Sequence, residues 1–349
     1  MRSFISVLLL AGCLAFALPA RAQLGSLGKP VVNETFGAGS EPGKALDAGV
    51  TNMKFTPSSC PDDEFYTITN STGGCFNSSW QVIHSDHTGD PNGYFMLINA
   101  SITPSVFYTK TIAGSNFCPN TPYLFNAYIM NVLRALPQTN GFIEPNITFR
   151  ILDKDRNALA TYNTMPIPSQ FNNQWMPYGV TFTSPASGDI IIEMRNNAPG
   201  GNGNDLALDD ITFSPYGPVI ETGFASVGNT ASQSKCAGDP VNYTLIASQN
   251  GYTTPTYQWQ LNKNDGNGWN NIAGQTAAKL TVDMPNAAAG IYQYRIGVLD
   301  GTKTSSNCII YSDPLTINVY AYPANTLAST AAICVGVALA VKCYWWRYL

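Results

Sequence analysis

Apolar residues recur at every second position through much of the chain. Such segments run over residues 94–99, 106–112, 123–133, 147–152, 159–162, 178–183, 190–195 and 206–213. A period of two is the signature of a strand with one buried face. Turn residues separate the segments, as in Gly114-Ser115-Asn116, Pro119-Asn120-Thr121-Pro122 and Pro185-Ala186-Ser187-Gly188. Many short strands, Gly/Pro turns and no long helical period predict an all-β sandwich or jelly roll. Residues 43–80 read instead as loop-rich, with Cys60 and Cys75 bracketing a segment of Pro, Asp, Gly and Ser.

Pro215-Tyr216-Gly217-Pro218 breaks the pattern and marks a boundary. Beyond it come strand signals at 241–247, 257–260, 269–272, 280–282 and 288–294. Trp259 sits in a central strand, and Ala289-Gly290-Ile291-Tyr292 precedes a late one. A buried Trp and a corner Tyr mark an immunoglobulin-like sandwich. The expected plan is therefore a jelly-roll β-sandwich over 24–217 and an Ig-like β-sandwich over 218–320, with a remainder over 321–349.

The ends of the chain read differently. Arg2, the apolar run 4–18 and Ala20-Arg21-Ala22 form a signal peptide over 1–22, cleaved before Gln23. Leu10-Ala11-Gly12-Cys13 has the form of a lipobox, the rival reading, but the residues after Cys13 stay apolar. At the other end, Ile333-Cys334-Val335-Gly336 resembles Lys235-Cys236-Ala237-Gly238. That similarity suggests the start of a further repeat in a truncated or frame-shifted product. The apolar run 327–341 is short for a membrane helix, although Trp, Tyr and Arg at the end suit an interface. Membrane contact is thus expected only through this tail or a lipid anchor.

Charged residues are 11% of the chain, against about 25% in typical soluble proteins. The net charge of -4 gives no basic footprint, which argues against a nucleic-acid partner. Asn, Ser, Thr and Gly fill the surface, as suits a secreted or outer-surface β protein. In an oxidising compartment Cys60 and Cys75 are expected to pair, a loop closure worth about 3 kcal/mol on the chain-entropy model.

The most distinctive stretch is Gly200-Gly201-Asn202-Gly203-Asn204-Asp205-Leu206-Ala207-Leu208-Asp209-Asp210-Ile211-Thr212-Phe213. A Gly-rich turn leads into an alternating strand that two carboxylates interrupt. Successive strand side chains point to opposite faces, so at least one of Asp209 and Asp210 should face inward or lie at an edge. A cation with oxygen ligands would compensate it; two solvated strand-end acids are the alternative. The stretch is similar to the closing strand of MAM domains and related jelly-roll modules of secreted bacterial proteins. Trp80, Asp86-His87-Thr88 and Asn92-Gly93-Tyr94-Phe95-Met96 through Asn99-Ala100-Ser101 resemble the core of the same modules. The resemblance implies a structural calcium between first and last strands, with Glu34, Asp209 and, less directly, Asp210 as ligands. It makes His87 a structural residue. It leaves Cys118 either free and buried or paired with a cysteine the resemblance does not identify, because Tyr216 stands where relatives often carry a Cys. The Ig-like reading implies a second staple, Cys236–Cys308, inside the second domain.

Catalytic patterns are missing. The two histidines, His84 and His87, share one loop, and no Gly-x-Ser-x-Gly elbow accompanies them. Gly200–Gly203 leads into a strand and is no phosphate loop. A pair of carboxylates for glycoside hydrolysis is not marked. The chain is expected not to be an enzyme. Trp80, Tyr94, Trp175 and Tyr178 are aromatic candidates for sugar stacking. Trp80 and Trp175 fall in framework segments, which leaves Tyr178 as the candidate ligand-binding residue. The architecture most resembles large surface proteins of gliding bacteria exported by the type IX route, although no sorting domain is recognisable. It implies a non-catalytic adhesion or ligand-binding protein with a glycan or surface protein as partner. The alternative is a carbohydrate-binding module pair belonging to a polysaccharide-degrading enzyme.

Overall fold

The computed structural model describes residues 25–40, 42–135 and 141–322. The expected signal peptide with its cleavage site, the rival lipobox and the tail from residue 323 lie outside the described residues. Among those described, no helix is long and apolar enough to cross a membrane.

The first sandwich is built from β1 (Ser26–Leu27), β2 (Val32–Glu34), β3 (Lys54–Phe55), β4 (Phe65–Thr69), β5 (Phe95–Ile98), β6 (Ser105–Ile112), β7 (Pro122–Asn131), β8 (Asn146–Asp153), β9 (Ala158–Pro166), β10 (Met176–Thr183), β11 (Ile190–Asn196) and β12 (Leu206–Gly217). One sheet has the order β10-β7-β12-β5-β4-β3, with β1 and β2 also paired to β12. The facing sheet is β6-β11-β8-β9. The eight alternating segments all form strands. The chain closes as a jelly roll should, with the first strands beside the last: Glu34 stands opposite Ile211, and Leu27 opposite Tyr216.

Alternation explains the core. On β7, Tyr123, Phe125, Ala127 and Ile129 are buried between the sheets, while Leu124, Asn126 and Tyr128 on the other face are half-buried. On β5 all four residues are buried. Met96 and Ile98 enter the inter-sheet core. Phe95 and Leu97 enter a second, smaller core with Trp80, Ile83, Met130 and Ala207, which covers the outer face of the same sheet. β4 is a correction to the loop-rich reading of 43–80. It is buried on both faces, so it carries no alternation to betray it.

The second sandwich comprises β13 (Ile220–Phe224), β14 (Gln233–Cys236), β15 (Val241–Gln249), β16 (Pro255–Asn262), β17 (Asn270–Asn271), β18 (Lys279–Met284), β19 (Gly290–Asp300), β20 (Ile310–Tyr311) and β21 (Leu315–Tyr320). A sheet β13-β15-β18 faces a sheet β14-β21-β19-β16-β17, to which β20 adds beside β19. Trp259 is fully buried at the centre of its core. The Tyr292 hydroxyl donates to the Ala288 carbonyl at 2.9 Å, fixing the corner before β19.

The cysteines divide between expectation and correction. Cys60–Cys75 is a disulfide. Cys308 pairs with Cys118 and not with Cys236; Cys236 is itself disulfide-bonded. Cys118 therefore has a partner, 190 residues away in the other sandwich. Geometry explains the exchange. Cys308 lies in the apolar core of the first sandwich, where the short turn before β20 packs down on it. Polar contacts surround the bridge: Tyr123 donates to the Asn307 carbonyl at 3.3 Å, Asn307 to the Asn116 carbonyl at 3.1 Å and Lys303 to the Pro119 carbonyl at 2.8 Å. At the same junction Gly28 bridges Ile310, where a Cβ would stand 2.2 Å from the Ile309 carbonyl. The two cores are distinct, but residues 218–320 are covalently tied to the first sandwich and are not a free-standing unit.

Candidate functional site

The acidic stretch begins with Asp205, one residue before β12. It is 6% exposed. Its carboxylate accepts from the Trp80 indole N–H at 3.2 Å and from the Ala100 backbone N–H at 3.0 Å. Burial pushes its pKa up to about 7, against the lowering effect of those two donors. Asp205 thus pins the outer core to the strand, and it was singled out by no motif.

Four residues on, the ladder between β12 and β7 shifts between Asp209 and Thr212. Asp210 takes a left-handed conformation there, with φ 46. This bulge answers the question posed by two adjacent carboxylates. A regular strand would send them to opposite faces, whereas an inserted residue re-aims one of them. Both reach the same loop, that of Asp86-His87-Thr88. Asp209 is 1% exposed and accepts from the His87 backbone N–H at 3.0 Å and from the Asp210 N–H at 2.7 Å. His87 Nδ1 lies 2.6 Å from Asp210 Oδ2, and its ring stacks on Tyr128 with centroids 3.3 Å apart. Burial raises the Asp209 pKa to about 7; the His87 N–H opposes this, and the nearby negative charges of Asp210 and Asp86 add to it.

Glu34 does not join this cluster. It turns toward the facing sheet, where Lys110 Nζ lies 2.5 Å from its carboxylate and the Phe36 N–H donates to its other oxygen at 3.2 Å. Among the described residues, no three His, Cys, Asp or Glu side chains converge on one point. The donor set present for a hard cation is therefore the oxygens of Asp209 and Asp210, with backbone carbonyls to complete a shell.

A different feature stands out over the small outer core. Phe76, Asn77 and Ser78 all have positive φ, at 50, 54 and 63. Three consecutive left-handed residues without a glycine cost about 1–2 kcal/mol each, so the surrounding structure must impose them. The Cys60–Cys75 bridge anchors the turn at its start. Arg134 holds its end, with its backbone N–H on the Ser79 carbonyl at 2.8 Å and its guanidinium on the Ser78 carbonyl at 3.3 Å. The result presents Phe76, 46% exposed, against the buried Trp80 at 4.9 Å between ring centroids.

The loop before β10 lies alongside. Arg134 bridges Gln170, and the Asn173 amide donates to the Val82 carbonyl. Within this loop Phe171 is 84% exposed, between Gln170 and the amides Asn172, Asn173 and Gln174. Trp175 is half-buried and meets Phe95 edge-on at 5.6 Å. Sequence reasoning missed Phe76 and Phe171. The amide run around Phe171 was a signal; nothing in the sequence marked the turn at Phe76. Of the candidates named from sequence, Trp80 is buried framework. Tyr178 is half-buried opposite Ala127, against the inter-sheet core, where burial raises its pKa.

No family model and no curated protein matches the sequence. Among solved structures, the chain aligns with the CBM22-1 xylan-binding domain of Paenibacillus barcinonensis Xyn10C at 9% identity and a TM-score of 0.29, over 56% of this chain and 97% of that one. It aligns with the CBM22-1–CBM22-2 tandem of the same protein at 8% identity and 0.31, over 85% and 98%. The tripod from the baseplate of bacteriophage Tuc2009 aligns at 13% and 0.24, over 71% and 85%. Likeness of this degree adds nothing to the site, whose chemistry has to be read from its own residues.

Proposed function

We propose that the chain is a non-catalytic, secreted or surface-held binding protein whose first sandwich takes a glycan on the patch around Phe171 and Phe76. The exposure of Phe171 carries this reading. In this reading a phenyl ring that far in water, on a loop tied down at Arg134 and Val82, is held out for a partner. Sugar rings stack their C–H faces on such rings, and the flanking Asn and Gln side chains both donate and accept toward hydroxyls. The strained turn under Phe76 is held in advance of binding, which lowers the ordering cost of association.

Adhesion is the role this surface suits, with carbohydrate recognition inside a larger degrading system as the alternative. The disulfides at Cys60–Cys75 and Cys118–Cys308 fit an oxidising compartment. A structural calcium at Asp209 and Asp210 belongs to the same reading, in a stabilising role; Glu34 would join only by releasing Lys110. Screening the mature chain on a glycan array tests the proposal. A hit lost in Phe171→Ala with the fold intact supports it. An array on which wild type and Phe171→Ala behave alike, binding or not, refutes it.

A further inference from the structure

The second sandwich carries a site of another kind. On the outer face of its larger sheet, Arg295 lies between two aromatic rings. Its guanidinium carbon is 3.9 Å from the Tyr311 ring centroid and 4.2 Å from that of Trp269. The register builds this stack. Tyr294, Ile296 and Val298 of β19 face the core, so Arg295 and Gly297 face out. Gly297 pairs with Tyr311 and also with Gln258, and Arg295 with Gln260. A Cβ at Gly297 would approach Tyr311 and Ile309 to 2.9 Å. The glycine lets the Tyr311 ring lie down along the strand toward the arginine.

Arg295 is oriented but not neutralised. Its Nε donates to Gln260 Oε1 at 2.9 Å, and Gln260 in turn donates to Asn271 Oδ1 at 2.8 Å. Among the described residues no carboxylate forms an ion pair with it. Its terminal nitrogens make no hydrogen bond to them, and burial lowers its pKa. A half-buried guanidinium usually has an anion for its planar fork. Beside it runs a groove of about 250 Å³, lined by Gln258, Gln260, Asn271, Gly297, Ile309 and Tyr311 among others. That is smaller than the roughly 300 Å³ at which sites for whole small ligands begin, so it suits one unit of a longer chain.

We infer that this face binds a carboxylated saccharide, the carboxylate on the terminal nitrogens of Arg295 and the ring hydroxyls on Gln258, Gln260 and Asn271. The free fork supplies charge complementarity to an anion. The groove lining carries no cation of its own and meets Arg295 only through Gln260 and Tyr311, which favours a sugar bearing one carboxylate per unit over a densely acidic peptide. The site is separate from the Phe171 patch and does not depend on it.

Calorimetry of the mature full-length chain with polygalacturonate oligosaccharides tests this, with dextran as the neutral control and poly-glutamate as the peptide control. Arg295→Gln should weaken binding at least tenfold. Arg295→Lys, which keeps charge but loses the fork, should fall between. Should loss of the stack disturb folding, Asn271→Asp gives an independent reading. It retains an acceptor for Gln260 at an exposed position, and its charge should weaken the anion severalfold at an unchanged melting temperature. Phe171→Ala should bind polygalacturonate as wild type does. Failure of wild type to bind it, indifference to Arg295→Gln or Asn271→Asp, or equally tight binding of dextran or poly-glutamate would each overturn the assignment.

Discussion

Glu193, Asp205 and Asp209 are buried in the first sandwich, as are Asn131, Asn196 and Asn204. In the second, the buried polar side chains among the described residues are Thr222 and Ser312, and no charged one is buried. Each buried acid has its own compensation. Glu193 holds Arg150 at 2.9 Å and Arg156 at 2.6 Å, Asp205 takes two neutral donors, and Asp209 takes backbone N–H groups beside further negative charge. Buried polar groups left unmatched are costly, so the first sandwich depends on fixed loops in a way the second does not. The second keeps its one unusual charge, Arg295, at the surface between aromatic rings. The contrast separates a domain whose loops are locked by internal polar bonds from one whose sheet face is open.

The Cys118–Cys308 bridge ties these two behaviours together, and removing it should have the largest effect on stability. Replacing both cysteines by alanine is expected to cost about 2–5 kcal/mol. The unfolding midpoints of the two sandwiches, followed by hydrogen exchange in denaturant, should move apart. Midpoints that stay together would mean that the noncovalent contacts at Asn307, Lys303 and Gly28 suffice.

That bridge also shows where sequence reading stops. Cys60 and Cys75 are legible because a short polar loop between them needs only local closure. Cys118 and Cys308 meet because one sandwich lies on the other, and neither residue's surroundings report that packing. The strands of β7, β11 and β12 were legible from alternation. β4 was not, since its two faces are both covered. The carboxylates at Asp209 and Asp210 were visible as an anomaly in a strand. The bulge that puts them on one side has no residue signature, because Asp210 takes the left-handed conformation without being glycine. The expectation that Glu34 meets Asp209 came from the resemblance and from the strand order it implies; the order held, and Lys110 took the Glu34 side chain.

Asp205 offers the next largest effect. Asp205→Ala leaves the Trp80 and Ala100 donors without acceptors and should cost on the order of 3 kcal/mol. Asp205→Asn sharpens the point through pH. The folded pKa is about 7 and the reference value 3.8. Between these values the folded state binds more protons than the unfolded one, so the group's contribution to stability declines as pH rises through that window. Below it the contribution is constant. The urea midpoint of the first sandwich should therefore fall from about pH 4 to pH 7 more steeply in wild type than in Asp205→Asn. The second sandwich should not show this difference. Equal slopes in the two proteins would remove Asp205 from the account.

Calcium gives a third test, specific to the first sandwich. An ion that binds only the folded form adds about 2.7 kcal/mol at a hundredfold excess over its dissociation constant. Chelation should lower the melting temperature of the first sandwich, and Asp209→Asn should blunt that response. Glu34→Gln should leave the response largely unchanged, because Glu34 is held by Lys110. Calorimetry without calcium uptake, together with an unmoved melting curve, would make Asp209 and Asp210 a cluster compensated by protein donors alone.

The smallest expected change in stability is at Phe171, which makes it the most informative about function. A side chain that is 84% exposed has little buried area to lose, so Phe171→Ala should shift stability by no more than about 0.5 kcal/mol. Binding should respond differently. An aromatic anchor stacked on a ligand is worth about 1 kcal/mol or more on truncation, a loss of roughly tenfold in affinity where it reaches 1.4 kcal/mol. Phe76→Ala is the matching experiment with the opposite bias. Removing that ring uncovers Trp80 while the alanine Cβ keeps the turn as strained as before, so stability and affinity should both fall. Comparing the two variants by glycan titration and by melting separates a ring held out for a partner from a ring that covers the core. If Phe171→Ala costs stability and leaves glycan affinity intact, the loop is a structural lid over Trp175, and the patch loses its claim as a binding surface.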